Sequence, residues 1–413
     1  MGGAETSLRE LLASVRAAEP AWELWLVLPE DGPLAAIARD LGVRVHILPF
    51  PAALARLGDS GRGSPALKML QSAGATGLYA RRLARWLAAV QPDIIHTNGL
   101  KMHLLGAWSR PRRSALVWHI HDYVGQRSVM RRLLYPFRKA ASAAIVNSQS
   151  VARDLERVLP GLRITTIYNA VDLQRFSPQG ERLDLDAQAG LGPAQPGALR
   201  VGLIATFARW KGHKVFLEAL SRLPQALPVR GYIVGGAIYQ TDGSQWSEPE
   251  LRQEAERLGL AGRVGFTGFV EEPSAAMRSL DIVVHASTQP EPFGMVIIEG
   301  MACGKPVIAS RAGGAAELVA DGVNALAHAP GDAAGLAQAI ERLAVDRALR
   351  DRLAAAGRLE AERKYHGRRL AEQLLPLYRA VKGQPDGPEA APTFPAPLPA
   401  SDGLAAPGTP RAN

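Results

Sequence analysis

Residues 291–310 read EPFGMVIIEGMACGKPVIAS and place one carboxylate, Glu299, inside an otherwise apolar run. Gly304 suits the left-handed end of a helix, and the proline two residues later cannot continue one. The pattern therefore predicts a helix that begins near Pro292 or Phe293 and ends at Gly304. The run PVIAS that follows is typical of a strand.

The same alternation of short β-branched runs and amphipathic helical patterns extends over most of the chain. The runs that predict strands are WELWLVLP, RVHILPF, DIIHTNG, ALVWHIHD, AAIVNSQ and RITTIYNAV in the first half, and LRVGLIATF, VRGYIVGG, RVGFTGF, DIVVHAS, PVIAS and NALAHA in the second. This rhythm indicates parallel sheets wrapped by helices. The expected fold class is α/β, with two Rossmann-like, doubly wound domains.

Breaks in this rhythm predict the domain boundaries. We expect a first domain over 1–176, a linker over 177–198, a second domain over 199–366, a last helix over 367–383 and a disordered Pro/Ala-rich tail over 384–413. Asp184 and Asp186 imitate a D-x-D metal site, but they lie in the linker. We interpret them as surface charge.

The chain begins in a way that is unusual for this fold. Gly2 and Gly3, followed by a helical pattern, resemble the turn after the first strand of a dinucleotide-type fold, yet no strand pattern precedes them. The first strand of such sheets is central, so its absence leaves a gap in which backbone groups lack partners. We therefore expect the natural chain to begin upstream of Met1, either at an earlier start or before a shortened terminus.

Composition narrows the classes of function. The 413 residues contain no uninterrupted apolar stretch of the roughly 18 residues that a membrane span needs, and the opening residues are amphipathic, so we expect a cytoplasmic protein. The single cysteine, Cys303, excludes an intrachain disulfide and indicates a core position. A net charge of +9 indicates an anionic partner, but no zinc-finger, RRM or KH pattern supports specific nucleic-acid binding.

A second carboxylate, Glu291, stands eight residues before Glu299, at the mouth of the same predicted helix. An isolated glutamate at a helix edge is usually solvated or salt-bridged. Two carboxylates that bracket a helix start also fit a sugar ligand, because backbone N–H groups around Phe293, Gly294 and Met295 can bind phosphate while the carboxylates accept hydrogen bonds from hydroxyls. The combination indicates a nucleotide sugar.

The two glutamates match the E-x7-E motif of the retaining glycosyltransferases of family four, and four further segments resemble that family in order along the chain. These segments are IYNAVDLQRFSP, RWKGHKVFLEAL, RVGFTGFVEE and AGGAAELVADGVNAL, with Ala170 in place of the usual glycine in the first. The resemblance extends from Gly2 to about Lys382. It implies the GT-B fold, in which two Rossmann-like domains face a central cleft and the last helix returns to the first domain.

The resemblance also implies roles for residues of the second domain. Lys211 is expected to pair with the donor diphosphate and Glu299 to hold the ribose hydroxyls. Glu291 is expected beside the phosphate and the transferred sugar. Val270 and its neighbours are expected to line the base pocket.

In the first domain, the resemblance places His121 opposite the sugar and lets the backbone at Gly2 and Gly3 approach the diphosphate. His119 could exchange roles with His121, because alternation along a strand places both on one face. We therefore treat His121, Lys211 and Glu291 as the candidate catalytic residues.

One position departs from the family pattern. The family's usual phosphate-binding arginine corresponds to Thr206, whereas this chain has Arg209. Either Arg209 reaches the same phosphates from a different turn, which we favour, or one cationic contact is missing.

The resemblance implies transfer of a hexosyl unit from a UDP- or GDP-linked sugar to a carbohydrate, lipid-linked or small-molecule acceptor, by front-face attack. Cationic and helix-terminal groups make a metal ion unnecessary, and no cofactor is expected. The segment QRSVMRRLLYPFRKAASA, from Gln126, fits a basic helix on an anionic membrane and equally an ordinary surface helix. A sugar-nucleotide epimerase, a phosphorylase or a non-catalytic nucleotide-binding protein of the same architecture remain the alternatives.

Overall fold

A computed structural model describes residues 2–51, 65–237 and 243–383 of the protein. These residues form two α/β domains built on parallel sheets. The tail over 384–413, for which we predict disorder, lies outside the described residues. In the described ranges, no helix is long and apolar enough to cross a bilayer.

The first domain contains a strand at each of the six positions that the sequence predicts. The strands are β1 Trp25–Leu28, β2 Arg44–Ile47, β3 Ile94–Asn98, β4 Ala115–Ile120, β5 Ala143–Val146 and β6 Ile164–Thr166. The helices are α1 Gly3–Ala18, α2 Pro33–Asp40, α3 Pro65–Val90, α4 Leu100–Ser109, α5 Ser128–Leu134 and α6 Gln149–Val158, with 3₁₀ turns at Val124–Gln126 and Tyr135–Ala140.

The sheet of the first domain is in two parts. β1 pairs only with β2, and a separate four-stranded sheet has the order β3-β4-β5-β6 among the described residues. Val27 of β1 and Ile95 of β3 nevertheless pack into one apolar cluster, so the two parts share a core.

The second domain has one continuous sheet of order β12-β11-β10-β7-β8-β9. Its strands are β7 Leu199–Ile204, β8 Val229–Val234, β9 Val264–Gly268, β10 Ile282–His285, β11 Val307–Ser310 and β12 Leu326–His328. Its helices are α7 Leu185–Gln188, α8 His213–Arg222, α9 Glu248–Arg257, α10 Pro273–Ser279, α11 Met295–Ala302, α12 Ala333–Val345 and α13 Arg347–Lys364, with 3₁₀ turns at Arg209–Lys211 and Gly314–Glu317. All six strands predicted for this half are present, with an apolar core on each face.

The helix predicted from Pro292 or Phe293 begins later, at Met295, because Gly294 adopts a left-handed conformation with φ of 103° and interrupts the helical backbone ahead of it. Its end is as predicted, with Gly304 at φ of 65°. Cys303 is buried in the core, as expected, and burial raises the pKa of its thiol to about 12.

The interpretation of Asp186 as surface charge is wrong. Asp184 accepts hydrogen bonds from the first N–H groups of α7, and the next turn points Asp186 inward. Asp186 is buried and pairs with Arg230 at 2.6 Å and Arg200 at 3.0 Å, while Tyr232 donates to it. Burial alone would raise the pKa of this carboxyl, but the hydrogen bonds outweigh it and hold the pKa well below its usual range. Part of the predicted linker is therefore packed against the second domain.

The last helix, α14 Arg368–Lys382, packs on α1 and completes the core of the first domain. The chain crosses between the domains beside Val171, whose N–H donates to the carbonyl of Tyr365 at 2.8 Å. Two Rossmann-like domains with a returning C-terminal helix form the GT-B arrangement, so the predicted fold class is confirmed.

We expect Leu374→Ala to destabilise the first domain. Leu374 is 1% exposed between α14 and the first-domain sheet. Replacing such a buried leucine by alanine lowers the free energy of unfolding by about 2–5 kcal/mol. Urea unfolding, followed by fluorescence, measures the loss. Leu359→Ala is the matched control because Leu359 is 53% exposed; equal stabilities of the two variants would contradict the role of α14.

Candidate active site in the interdomain cleft

The centre of the site is an ion pair between two loops of the second domain. Lys211 ends the 3₁₀ turn that follows β7, and its Nζ lies 2.6 Å from Oε1 of Glu291, in the loop after β10. These strands are adjacent in the sheet, so their carboxyl ends bring the two loops together. Gly212 permits the approach, since a Cβ there would lie 1.8 Å from the carbonyl oxygen of Ala286.

The second oxygen of Glu291 is held by residues that the sequence analysis missed. His285 Nε2 donates to Oε2 at 2.7 Å and Ser287 Oγ at 2.6 Å. Burial would raise the pKa of Glu291, but Lys211 and His285 outweigh it and hold the pKa far below its usual range. Glu291 is therefore a charged, fixed group. The signal was available in DIVVHAS, where polar residues follow a buried strand at its carboxyl end.

The loop between Glu291 and α11 presents backbone to the cleft. The side chain of Phe293 is buried, with its ring centroid 6.1 Å from Tyr168 and 6.3 Å from Tyr365. Phe293 and Gly294 thus lead into a helix whose first N–H groups, from Met295 on, have no acceptor within the helix. This is the backbone that the sequence analysis proposed for phosphate binding.

Glu299 lies on α11 between the two domains. The charges that act on it come from Arg175 and Arg9, on the first-domain side, and from Glu272 and Lys211 in the second domain. Within the described residues its carboxylate makes no hydrogen bond or ion pair, so it is not the salt-bridged glutamate that usually occupies a helix edge. Burial raises its pKa to about 7, which leaves an unpartnered carboxyl at the cleft.

In the first domain, the candidate residue His121 directly follows β4. His121 Nε2 contacts Asn98 Oδ1 at 2.5 Å, and Asn98 Nδ2 contacts the carbonyl oxygen of Ala4 at 3.5 Å. Asn98 thereby joins His121 to the start of α1, where Gly2 is the N-cap and Gly3 the first residue. Burial lowers the pKa of His121 to about 4, so its imidazole is neutral near pH 7.

His119 occupies the layer beneath His121. Their rings are 4.0 Å apart, as expected for residues on one face of a strand. His119 is 3% exposed, and its Nδ1 lies 3.1 Å from Nε2 of His96, whose Nδ1 contacts the hydroxyl of Tyr378 on α14. His119 therefore belongs to the core, and the exchange of roles with His121 is not supported.

Arg209 is not brought to the ion pair. Its guanidinium stacks on Trp246 at 3.7 Å and lies 3.6 Å from Glu250 of α9. Neither contact tests whether Arg209 reaches the donor phosphates, so its role there stays a prediction.

Val270 is half-buried after β9, and beside it Phe269 is 64% exposed. Phe269 faces the end of β8, since a Cβ on Gly236 would lie 3.8 Å from its Cβ. The wall predicted for the base pocket therefore includes an exposed aromatic ring that the sequence analysis did not single out.

Across the described ranges, no group of three or more His, Cys, Asp or Glu side chains has an arrangement suited to a metal ion. The site instead combines one lysine, two carboxylates and a helix start on one wall with a neutral histidine and a second helix start on the other. Two Rossmann-like domains with a returning C-terminal helix define a GT-B protein, and the groups described here lie near the carboxyl ends of its strands.

Comparison with known proteins gives the family. The description "Glycosyltransferase Family 4" matches residues 1–175, and "Glycosyl transferases group 1" matches residues 194–360. A D-inositol 3-phosphate glycosyltransferase from a Nocardioides species is 31% identical over 74% of this chain and 72% of its own length. The chain belongs to glycosyltransferase family four.

Two further relatives match over less of their length. D-inositol 3-phosphate glycosyltransferase 2 from Catenulispora acidiphila is 38% identical over 50% of each chain. The corresponding enzyme from Corynebacterium urealyticum is 32% identical over 60% of this chain and 58% of its own. The chain thus spans about half the length of these curated relatives.

Solved structures match the whole fold. Alr3699/HepE from Anabaena, in complex with UDP, has a TM-score of 0.73 and 27% identity, covering 92% of this chain and 96% of that one. The same protein in complex with UDP-glucose has a TM-score of 0.72.

The unpartnered carboxyl makes stability depend on pH. The pKa of Glu299 is raised from its ordinary value of 4.5 to about 7. The native state therefore retains a proton up to a higher pH than the unfolded chain does. Wild type should therefore lose stability relative to Glu299→Gln as pH rises from about 4.5 through 7. Thermal unfolding of both proteins across this range measures the difference. Glu341→Gln, on the exposed face of α12, should follow wild type, and a constant gap between wild type and Glu299→Gln would contradict the assignment.

Proposed function

We propose that this protein is a retaining glycosyltransferase that moves a hexosyl unit from a nucleoside-diphosphate sugar to a hydroxyl acceptor. The observation that carries the proposal is the fixed Lys211–Glu291 pair, together with the hydrogen bond that Tyr123, two residues after His121, donates to the carbonyl oxygen of Glu291. The Anabaena structures with UDP and UDP-glucose support a UDP-linked donor. Family membership supports the reaction class.

The donor is proposed to lie along α11. A lysine ammonium has three N–H donors, so Lys211 can keep its bond to Glu291 and still donate to a diphosphate oxygen. The N–H groups at the start of α11 offer further donors to the same anion. Glu299 lies one to two turns along the helix and has no partner among the described residues, which suits the ribose hydroxyls. Phe269 and Val270 offer an apolar wall to the base.

In the reaction, the bond between the anomeric carbon and the diphosphate oxygen breaks while the acceptor oxygen bonds to that carbon from the same face. Negative charge grows on the departing phosphate, where Lys211 and the helix start are already oriented. The acceptor proton passes to the departing phosphate oxygen, so no protein base is required. The neutral imidazole of His121 exchanges hydrogen bonds with the sugar. We propose that Lys211 supplies the positive charge that makes a metal ion unnecessary.

We expect Lys211→Ala mainly to lower kcat and Glu299→Ala mainly to raise the donor KM. Losing an oriented charge at the leaving group costs about 10²–10³-fold in turnover, whereas Glu299 is proposed to contact a part of the donor that does not react. Nucleotide release from UDP-glucose in the presence of an acceptor measures both constants. Lys214→Ala is the matched control, because Lys214 lies one turn further on over Trp246. Equal effects of Lys211→Ala and Glu299→Ala would reject these roles.

A donor panel tests the reaction class. UDP- and GDP-linked sugars are incubated with acceptor sugars or glycolipids, with and without inorganic phosphate, and all sugar products are identified. Nucleotide release that depends on an acceptor and retains the anomeric configuration is expected. Epimerised nucleotide sugar without acceptor, or sugar phosphate formed only with added phosphate, would contradict the proposal.

We further propose that the protein acts at the inner, anionic face of a membrane. The support is a basic-apolar patch, defined by exposed Trp108, Val129, Leu133 and Tyr135 with Arg132 and Lys139 among them. Trp108 belongs to the same surface as the Tyr135–Ala140 turn, since its ring lies 6.1 Å from Phe137. Apolar side chains ringed by cations suit an interface with anionic lipid, and a lipid-linked acceptor would be met there.

Liposome sedimentation tests this surface. Binding to vesicles containing anionic lipid is expected at low salt and is expected to weaken at high salt, because screening reduces the attraction. The double variant Arg132→Glu/Leu133→Asp should abolish binding, whereas Leu359→Asp, at an exposed position on α13, should retain it. Equal binding of both variants, or none by wild type, would refute the patch.

A further inference from the structure

A set of hydrogen bonds joins the two domains beside the Glu291 loop. Glu317, in the second-domain turn after β11, accepts the backbone N–H of Gln149 at 2.9 Å and that of Ser150 at 2.7 Å. These are the first two residues of α6 in the first domain. Tyr168 donates its hydroxyl to the same carboxylate at 2.9 Å. A carboxylate of the second domain thus accepts hydrogen bonds from the first N–H groups of a first-domain helix, which have no acceptor within that helix.

A second contact between the domains involves the main chain of the Glu291 loop. The hydroxyl of Tyr123 donates to the carbonyl oxygen of Glu291 at 3.2 Å and lies 3.0 Å from Ser150 Oγ. Tyr123 is buried and stands two residues after His121. The segment that presents His121 therefore also touches Glu291 across the cleft.

The packing leaves no room for side chains at this junction. A Cβ on Gly313 would lie 2.4 Å from the hydroxyl of Tyr123, and one on Gly314 would lie 2.0 Å from the carbonyl oxygen of Pro292 and 2.9 Å from Cβ of Ser148. Gly313 and Gly314, in the sequence AGGAAE, allow the two domains to approach closely. Glu317, which follows them, accepts the hydrogen bonds between the domains. These three residues act together as one closing contact, Gly313–Gly314–Glu317.

We propose that Glu317 and Tyr123 are positioning residues that fix Glu291 relative to His121 when the domains close. This rests on the proposed function and deepens it. The chain crosses between the domains beside Val171 and Tyr365, so rotation there would separate α6 from the 314–317 turn. Opening would break the bonds of Glu317 and Tyr123 together and release the Glu291 loop from the first domain. Closure then re-forms the hydrogen bonds of Glu317 and Tyr123, and the same step returns Glu291 and His121 to their relative positions.

The test compares Glu317→Gln and Tyr123→Phe with wild type and with the matched control Glu341→Gln, which lies at an exposed position. Amide hydrogen exchange at Gln149 and Ser150 reports the contact directly and needs no activity. Glu317→Gln should speed it by about tenfold or more, the amount that losing a charge-assisted hydrogen bond predicts. Small-angle scattering should show a larger radius of gyration, while exchange in the rest of α6 stays as in wild type.

Kinetics separate positioning from a merely structural role. Both variants should lower kcat by about tenfold, whereas UDP binding to the second domain, measured by calorimetry, should stay within about twofold of wild type. Because both act on one closing step, the double variant should lose less than the product of the single losses.

Two results would overturn the proposal: exchange at Gln149 and Ser150 that matches the controls, or normal kcat in variants whose cleft is open. If wild type turns over no donor at all, the proposed function fails, and the exchange and scattering measurements alone then decide the interdomain contact.

Discussion

The ion pair between Lys211 and Glu291 is the interaction on which the site depends. A carboxylate that is 8% exposed is tolerated only because Lys211, His285 and Ser287 satisfy its oxygens. Those partners come from two strand ends, so the pair also holds the turn after β7 against the loop after β10. The ammonium of Lys211 is therefore held in a fixed position within the described structure, as the role proposed for it requires.

The two walls of the cleft contribute different kinds of chemistry. The second domain supplies charge at Lys211 and Glu291, while the first domain supplies the neutral imidazole of His121 and backbone at the start of α1. Burial explains the contrast, since the histidine cannot keep a proton where no anion compensates it. Charge on one wall and neutral hydrogen bonding on the other suit a ligand with an anionic end and a hydroxyl-rich end.

Local sequence patterns predicted most of the fold. Each strand-forming run is either alternately apolar and polar or continuously apolar, according to whether one face or both faces of the strand are buried. The sequence likewise predicted two carboxylates near the start of one helix, and the structure has Glu299 on α11 and Glu291 in the loop before it. Asp186 was misjudged because its partners, Arg200 and Arg230, come from strands far along the chain. Arg209 turned toward Trp246, and His285 turned toward Glu291, through tertiary contacts that no local pattern encodes.

The returning helix α14 has a consequence for how the chain is made. The apolar residues that α14 adds to the first-domain core are translated after the entire second domain, so the amino-terminal half leaves the ribosome with part of its interior uncovered. The two cores of the second domain are formed almost entirely by its own residues. This domain can therefore fold before the core of the first domain is complete. The core of the amino-terminal half can therefore be completed only once α14 has been synthesised, after the whole of the second domain.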